Sequence, residues 1–241
     1  MAGKKKIPLV WKIAIGFVAG ILAGVAFGEK ISVIAPVGTI FISLLQMLVV
    51  PLVFSSLVVG TASIGDPLSL GRVGIKTLVL YLVTTAIAIA IGLTLGNIIN
   101  PGAGMGLGAD LSAFQIPTPP KIGQVIIDLF PKNPVASMAQ ANMLQIIVFA
   151  LFLGVSAVLA KDKGAPLVSF FDSMAETMYK LTGIVMMVAP YGVFALIADT
   201  VSKYGLSVLA PFAKVIIAVY VGCALQLLIV YSSLIMTFVK K

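Results

Sequence analysis

The chain has 241 residues, of which 60% are hydrophobic and only 10% are charged. Ordinary soluble domains carry about 25% charged residues, so this composition excludes a soluble fold and predicts an integral membrane protein. The single cysteine, Cys223, and the absence of histidine exclude a disulfide framework, histidine metal sites and histidine proton relays. The net charge of +8 indicates the cytoplasmic lysines that orient membrane proteins, and not a nucleic-acid partner.

Hydropathy predicts an all-α fold with six transmembrane helices, at about 10–28, 38–62, 74–98, 136–160, 168–199 and 209–237. With the N-terminus inside, the inner segments hold ten lysines and arginines and the outer segments hold five, while Lys180 falls within span five. This bias predicts a multi-pass protein of the cell membrane with both termini in the cytoplasm. The inner residues are Lys4, Lys5, Lys6, Lys12, Arg72, Lys76, Lys161, Lys163, Lys240 and Lys241, and the outer ones are Lys30, Lys121, Lys132, Lys203 and Lys214.

The first two spans contain packing and kinking signals. Lys4–Lys6 resemble the start of a signal peptide, but the following apolar run is long and lacks a clean cleavage site, which favours an uncleaved span. Span one repeats glycine at Gly16, Gly20, Gly24 and Gly28, which predicts a flat surface for close helix packing. In span two, Pro51 predicts a kink, and the serines one turn later are expected to bond the carbonyl that it frees.

Span three carries the most informative pattern, because Thr77, Tyr81, Thr84 and Thr85 share one face of an otherwise apolar helix. Hydroxyls at membrane depth are expected to face protein and not lipid. Two interpretations remain open for this face: interhelical packing, or half of a cation site built from hydroxyl and carbonyl oxygens. The chain offers no carboxylate at this depth.

The later segments are less specific. Residues 100–135 form the one long non-spanning stretch, in which Lys121–Phe130 predicts a short amphipathic helix. The acid-to-base ladder of Asp172, Glu176 and Lys180 favours ion pairing along span five, and Pro190 is expected to break that span. Gln226 in span six is interpreted as an interhelical hydrogen bonder. The sequence has no Gly-rich phosphate loop, HExxH or CxxC motif, and predicts no enzyme.

Seven segments, in order along the chain, resemble the dicarboxylate/amino acid:cation symporter family, the glutamate-transporter homologues. In Pro36–Pro51 the residues Gln46 and Pro51 fit the family's first signature, while Thr39 stands where an acid is usual. The other segments are Leu57–Ser63 (LVVGTAS), Gly71–Lys76 (GRVGIK), Asn100–Gly104 (NPGAG), Ala175–Lys180 (AETMYK), Ala189–Ala198 (APYGVFALIA) and Ala213–Gly222 (AKVIIAVYVG).

The resemblance implies a homotrimer of elevator transporters. It assigns residues 1–72 and 100–205 to a static scaffold, with spans two, four and five at the threefold contact, and residues 73–99 and 206–241 to a moving transport domain. By position, Tyr81 (through its main-chain carbonyl), Thr84 and Thr85 would help to bind one sodium ion, which is the coupling ion; no other cofactor or metal is implied, and the substrate-binding residues stay unassigned.

The family continues beyond a sixth span with two re-entrant hairpins and two helices that carry substrate contacts and acidic sodium ligands. We therefore expect this chain to be the N-terminal half of a sodium-coupled symporter for acidic or small neutral amino acids or dicarboxylates. Its expected partners are the lipid bilayer, a C-terminal half supplied by another chain, and a small-molecule substrate only when complete. The alternative is a non-transporting trimeric membrane scaffold or anion-leak assembly.

Overall fold

The computed structural model describes residues 7–64, 67–102 and 122–238, and all regular structure in these ranges is helical. The terminal lysines Lys4–Lys6 and Lys240–Lys241, together with Lys121 and the loop segments 65–66 and 103–120, lie outside the described residues, as do the side chains of Arg72 and Thr77. The helices are α1 (Leu9–Phe27), α2 (Ala35–Ala62), α3 (Pro67–Ile99), α4 (Ile122–Asp128), α5 (Pro134–Ala139), α6 (Met143–Leu159), α7 (Ala165–Tyr204), α8 (Leu209–Leu225) and α9 (Ser232–Phe238).

The described chain contains four helical stretches that are long and apolar enough to cross a membrane: Leu9–Ala62, Val79–Ile99, Lys161–Tyr204 and Leu206–Thr237. The first contains two α-helices, of 19 and 28 residues, separated by the 3₁₀ turn Gly28–Ile34. Helix α6 has 17 residues, or about 26 Å, slightly less than the roughly 30 Å hydrocarbon thickness. These lengths and compositions confirm an all-α, multi-pass membrane protein.

The prediction of one continuous span at 136–160 is wrong. The helix is broken between α5 and α6, where Ala141 adopts a positive φ of 53° and the N–H of Asn142 donates to the carbonyl of Ser137 at 2.9 Å. Side chains stabilise the break: the Ser137 hydroxyl donates to Oε1 of Gln145 at 2.6 Å, and Nε2 of Gln145 donates to the carbonyl of Asp128 at 2.9 Å. Local polar bonds therefore replace part of the helical ladder.

Proline does not interrupt either long helix. Helix α2 continues through Pro51, and α7 continues through Pro190, contrary to the break expected there. In an apolar solvent each lost helical bond is costly, so the chain gives up only the bond that proline cannot make. The serines do not repair that loss, because Ser55 bonds the carbonyl of Pro51 itself at 2.7 Å, and not the Met47 carbonyl that faces the proline ring.

Two other predictions about surface helices have different outcomes. The short helix expected at Lys121–Phe130 is confirmed as α4, Ile122–Asp128, while its amphipathic character stays a prediction. The ion-pair ladder on α7 is wrong: its members Asp172, Glu176 and Lys180 are exposed, and no ion pair joins them in the part of the chain that the structure describes. Solvated charges one turn apart gain little from pairing.

The chain divides into two compact units, Met1–Leu70 with Leu111–Ser202, and Gly71–Asp110 with Lys203–Lys241. The core of the first unit forms where α2 lies along α6, around Phe54, Val58, Ile146 and Ala150, with Phe171 of α7. The ring of Phe54 stacks on Phe149 at a centroid distance of 5.7 Å and meets Phe171 edge-on at 5.2 Å. This arrangement adds aromatic contact energy to area burial.

The predicted glycine stripe of α1 is confirmed as a packing surface against α7. A Cβ at Gly20 would lie 2.7 Å from the Phe194 carbonyl oxygen, and one at Gly24 would lie 2.8 Å from that of Ala198. Gly28 has another role: its positive φ of 54° follows the end of α1, and no atom lies within 4 Å of its missing Cβ.

We predict that Gly20→Ala destabilises the protein. The added methyl group meets backbone atoms, so α1 must move away from α7, at a cost of about 1–3 kcal/mol and a fall in Tm of about 2–12 °C. The matched control is Gly60→Ala, because that site on α2 is open and alanine favours the helix. Melting curves from size-exclusion fluorescence in mild detergent provide the measurement, and equal Tm values for both variants would contradict the contact.

Candidate functional site

The second unit exposes most of its apolar side chains, so its few buried polar groups identify the candidate site. In the most apolar 18 residues of Val79–Ile99, and likewise of Leu206–Thr237, only 6% of the residues are buried. Thr84 is an exception, with 7% of its surface exposed. It lies on α3, within the face that the sequence singled out.

The members of that face are not equally placed. Thr85, next to the buried Thr84, is half-buried, whereas the side chain of Tyr81 is 66% exposed. Among the hydroxyl-bearing members of the face whose side chains the structure describes, Thr84 meets the expectation of being covered by protein, Thr85 meets it in part, and Tyr81 does not. Any role of Tyr81 in a cation site therefore depends on its main-chain carbonyl oxygen.

The hydroxyl of Thr84 donates to the Tyr81 carbonyl at 3.0 Å. This is the bond to the preceding turn that the packing interpretation expects of threonine. Since the hydroxyl uses its proton here, its lone pairs remain available to a cation. The Tyr81 carbonyl already accepts the helical N–H of Thr85 as well, so Thr84 must turn its hydroxyl away before that carbonyl can contact a cation.

Gln226, which directly follows the end of α8, bonds this turn of α3. Its Nε2 donates to the main-chain carbonyl of Thr84 at 3.1 Å, which confirms Gln226 as an interhelical hydrogen bonder. The other half of the amide, Oε1, is buried and has no hydrogen-bond partner within the described chain. Sequence reasoning missed Thr84 as the partner, because the two residues are 142 positions apart and no local spacing links them.

Gln226 is also the first residue of a π-helix, Gln226–Tyr231, which connects α8 to α9. The hydroxyl of Ser232 donates to the Leu227 carbonyl five residues earlier, at 3.3 Å, in keeping with the wider turn. π-Helical turns are rare and occur frequently at functional sites. No pattern in the sequence predicted this turn.

A cleft of about 430 Å³ opens beside Thr84, and its lining contains no carboxylate; it is formed by Leu80, Tyr81, Thr84, Tyr231, Leu234 and Ile235. The described ranges also contain no group of three or more His, Cys, Asp or Glu residues placed to hold a metal. The site as it stands thus supplies neutral hydroxyl and carbonyl oxygens. Such oxygens suit a hard cation, but without a negative charge they do not offset its dehydration.

Comparison with known proteins gives a consistent result. The profile of the Sodium:dicarboxylate symporter family matches residues 9–241. The proton/sodium-glutamate symport protein of Bacillus caldotenax is 40% identical over 227 residues, which cover 90% of this chain and 54% of the relative. The proton/glutamate-aspartate symporter of Escherichia coli K12 is 42% identical over 235 residues, covering 89% of this chain and 54% of the relative.

A relative named for a different substrate also matches. The C4-dicarboxylate transport protein of Anaeromyxobacter sp. strain K is 34% identical over 224 residues, covering 90% of this chain and 51% of the relative. The chain thus spans about half the length of the curated relatives it matches. Because the family profile covers nearly all of its residues, the chain belongs to the sodium:dicarboxylate symporter family.

Proposed function

We propose that the chain is the N-terminal part of a sodium-coupled secondary active symporter for acidic or small neutral amino acids or dicarboxylates. The observation that carries the proposal is the turn Tyr81–Thr85, where hydroxyl and carbonyl oxygens at membrane depth gather in a family of cation symporters. The relatives are named for glutamate, aspartate and C4-dicarboxylates, which are all small carboxylates.

In this proposal the chain supplies only part of the cation site. Thr84 and Thr85 provide hydroxyl oxygens, and Tyr81 provides its main-chain carbonyl. Two hydroxyls and one carbonyl give fewer oxygens than a desolvated cation requires, and they carry no formal charge. In the proposal, residues outside 1–241 supply the carboxylate, so the chain by itself is expected to bind sodium only weakly.

The transport mechanism that we propose is an elevator. The two compact units support it, because they group α1, α2 and α4–α7 apart from α8, α9 and most of α3. In the proposal, residues 1–72 and 100–205 form the static scaffold, and residues 73–99 and 206–241 belong to the moving domain. The cation-binding turn then travels with the moving domain.

A homotrimer is the proposed assembly, and the surface of α2 supports it. Thr39, Ser43 and Gln46 follow one another at helical spacing and are all exposed in the single chain. Thr39 and Ser43 also line a shallow groove of about 680 Å³ on that helix. Polar side chains in a membrane helix are stabilised by facing protein and not lipid, so this stripe is suited to a subunit contact.

We predict a trimeric mass in mild detergent and a loss of trimer in Ser43→Trp. The large ring is expected to separate the proposed contact surfaces, whereas Leu22→Trp, at an exposed apolar position of α1, should leave the assembly unchanged. Light scattering coupled to size exclusion gives the protein mass. A monodisperse monomer in the unsubstituted protein, or equal behaviour of the two variants, would contradict the trimer.

We predict sodium-dependent glutamate uptake by a chimaera of residues 1–241 and the C-terminal remainder of the Bacillus caldotenax symporter. The measurement is accumulation of labelled glutamate in proteoliposomes, with and without an inward sodium gradient. Residues 1–241 alone are the control and should accumulate none. Uptake driven only by a proton gradient would show that protons, and not sodium, are the coupling ion. Uptake by the control would refute the half-transporter proposal. A folded chimaera without uptake would favour the scaffold alternative.

We predict that Thr85→Val in this chimaera lowers the apparent sodium affinity. The shape is nearly kept while one ligand oxygen is lost, at a cost on the order of 1–3 kcal/mol, equivalent to about five- to 150-fold in affinity. Thr94→Val is the matched control on the same helix, because Thr94 is exposed and, among the described residues, its hydroxyl donates to the Ala90 carbonyl of its own helix, at 2.7 Å. Unchanged sodium dependence in Thr85→Val would support the packing interpretation of this face.

A further inference from the structure

The side chain of Gln226 lies in surroundings that do not explain its polarity. It lines an open groove of about 590 Å³ between α3 and α8, whose other lining residues are almost all apolar; they include Ala88, Leu95, Val219 and Leu227. Burying an amide in such a place is unfavourable unless both of its ends are paired. Among the described residues Nε2 has a partner and Oε1 has none, so packing alone would favour an apolar residue of the same size.

The bond that Gln226 does make is directed at the candidate cation site. Its acceptor is the carbonyl of Thr84, and the hydroxyl of the same residue donates to the Tyr81 carbonyl. A carbonyl oxygen has two lone pairs, so the amide can bond it without breaking the helical ladder. The amide therefore restrains the backbone of the turn that presents the oxygens of Tyr81, Thr84 and Thr85.

The π-helix places Gln226 for this role. The wide turn begins at Gln226 and ends at Tyr231, and Tyr231 lines the cleft that Tyr81 and Thr84 also line. Two residues at opposite ends of one π-helical segment thus lie beside the same turn of α3. If this segment were a regular α-helix, the position of Tyr231 around the helix axis, relative to Gln226, would differ by one residue, or about 100°.

We propose that Gln226 is a positioning residue of the cation site, holding the Tyr81–Thr85 turn in place through the Thr84 carbonyl. The inference rests on the proposed function, since it assigns Gln226 a role in sodium binding and none in substrate contact. It predicts that loss of the amide weakens sodium binding selectively. If Gln226 were needed only for packing, its loss would lower stability and expression, and it would not change the sodium constant while leaving the glutamate constant unchanged.

The test compares Gln226→Met with Gln145→Met in the chimaera described above. Gln145 is the matched control because its Nε2 also donates to a main-chain carbonyl, that of Asp128 at 2.9 Å, but in the other unit. In Gln226→Met we expect the sodium concentration for half-maximal uptake to rise about two- to twelvefold. The glutamate KM at saturating sodium should stay unchanged, and the control should change neither quantity.

A second measurement uses residues 1–241 alone. Hydrogen–deuterium exchange at the Ala88 amide, the helical donor to the Thr84 carbonyl, should be faster in Gln226→Met than in the unsubstituted chain and unchanged in Gln145→Met. Unchanged exchange, or equal changes in the sodium and glutamate constants, would overturn the positioning role. A chimaera that transports nothing would count against the proposed function, and the exchange rates would then decide this inference by themselves.

Discussion

The absence of water at membrane depth is the constraint on which this structure depends. Every backbone polar group in the apolar helices must find a partner within the protein, because lipid offers none, and side-chain hydroxyls are under the same pressure. Serine and threonine hydroxyls meet it by donating to carbonyls three or four residues earlier, as Thr200 does to Leu196 at 2.7 Å and Thr182 to Met178 at 2.8 Å. The same constraint explains why α2 and α7 continue through proline.

Two glutamines in the described chain form hydrogen bonds between separate segments of the fold. Gln145 and Gln226 each donate Nε2 to a distant main-chain carbonyl and so fix one segment against another. They differ at the other end of the amide. Oε1 of Gln145 accepts from Ser137, whereas Oε1 of Gln226 is buried without a partner in the described chain. The Gln145 amide therefore has partners at both ends, whereas the Gln226 amide keeps an acceptor oxygen available.

The sequence was a good guide wherever one local pattern decides the structure. Apolar runs located the membrane helices, and the glycine spacing located the surface of α1 that packs on α7, because both depend on residues within a few turns. It failed where side-chain hydrogen bonds decide the structure. The break at Ala141 depends on side-chain bonds among Ser137, Gln145 and Asp128 that no hydropathy pattern records.

For the site, the residue types were predictable and their connections were not. A line of hydroxyls on an apolar helix identified Thr84 and Thr85, and the family resemblance identified the Tyr81 carbonyl. The bond from Gln226, at the start of a π-helix, reaches a carbonyl 142 positions away along the chain. Contacts of that kind arise from packing between distant segments, and one sequence contains no periodicity that reports them.

Helix α7 is too long to lie entirely within the hydrocarbon of a bilayer. Its 40 residues extend about 60 Å, twice the roughly 30 Å of hydrocarbon. Tilt alone would need about 60°, beyond the 0–40° at which membrane helices are found. The exposed Asp172, Glu176 and Lys180 lie in its first half, while the stretch from Leu181 to Ala198 is free of charge and about 27 Å long. One continuous helix is therefore long enough for its uncharged stretch to cross the hydrocarbon while the charged side chains of its first half stay in contact with water.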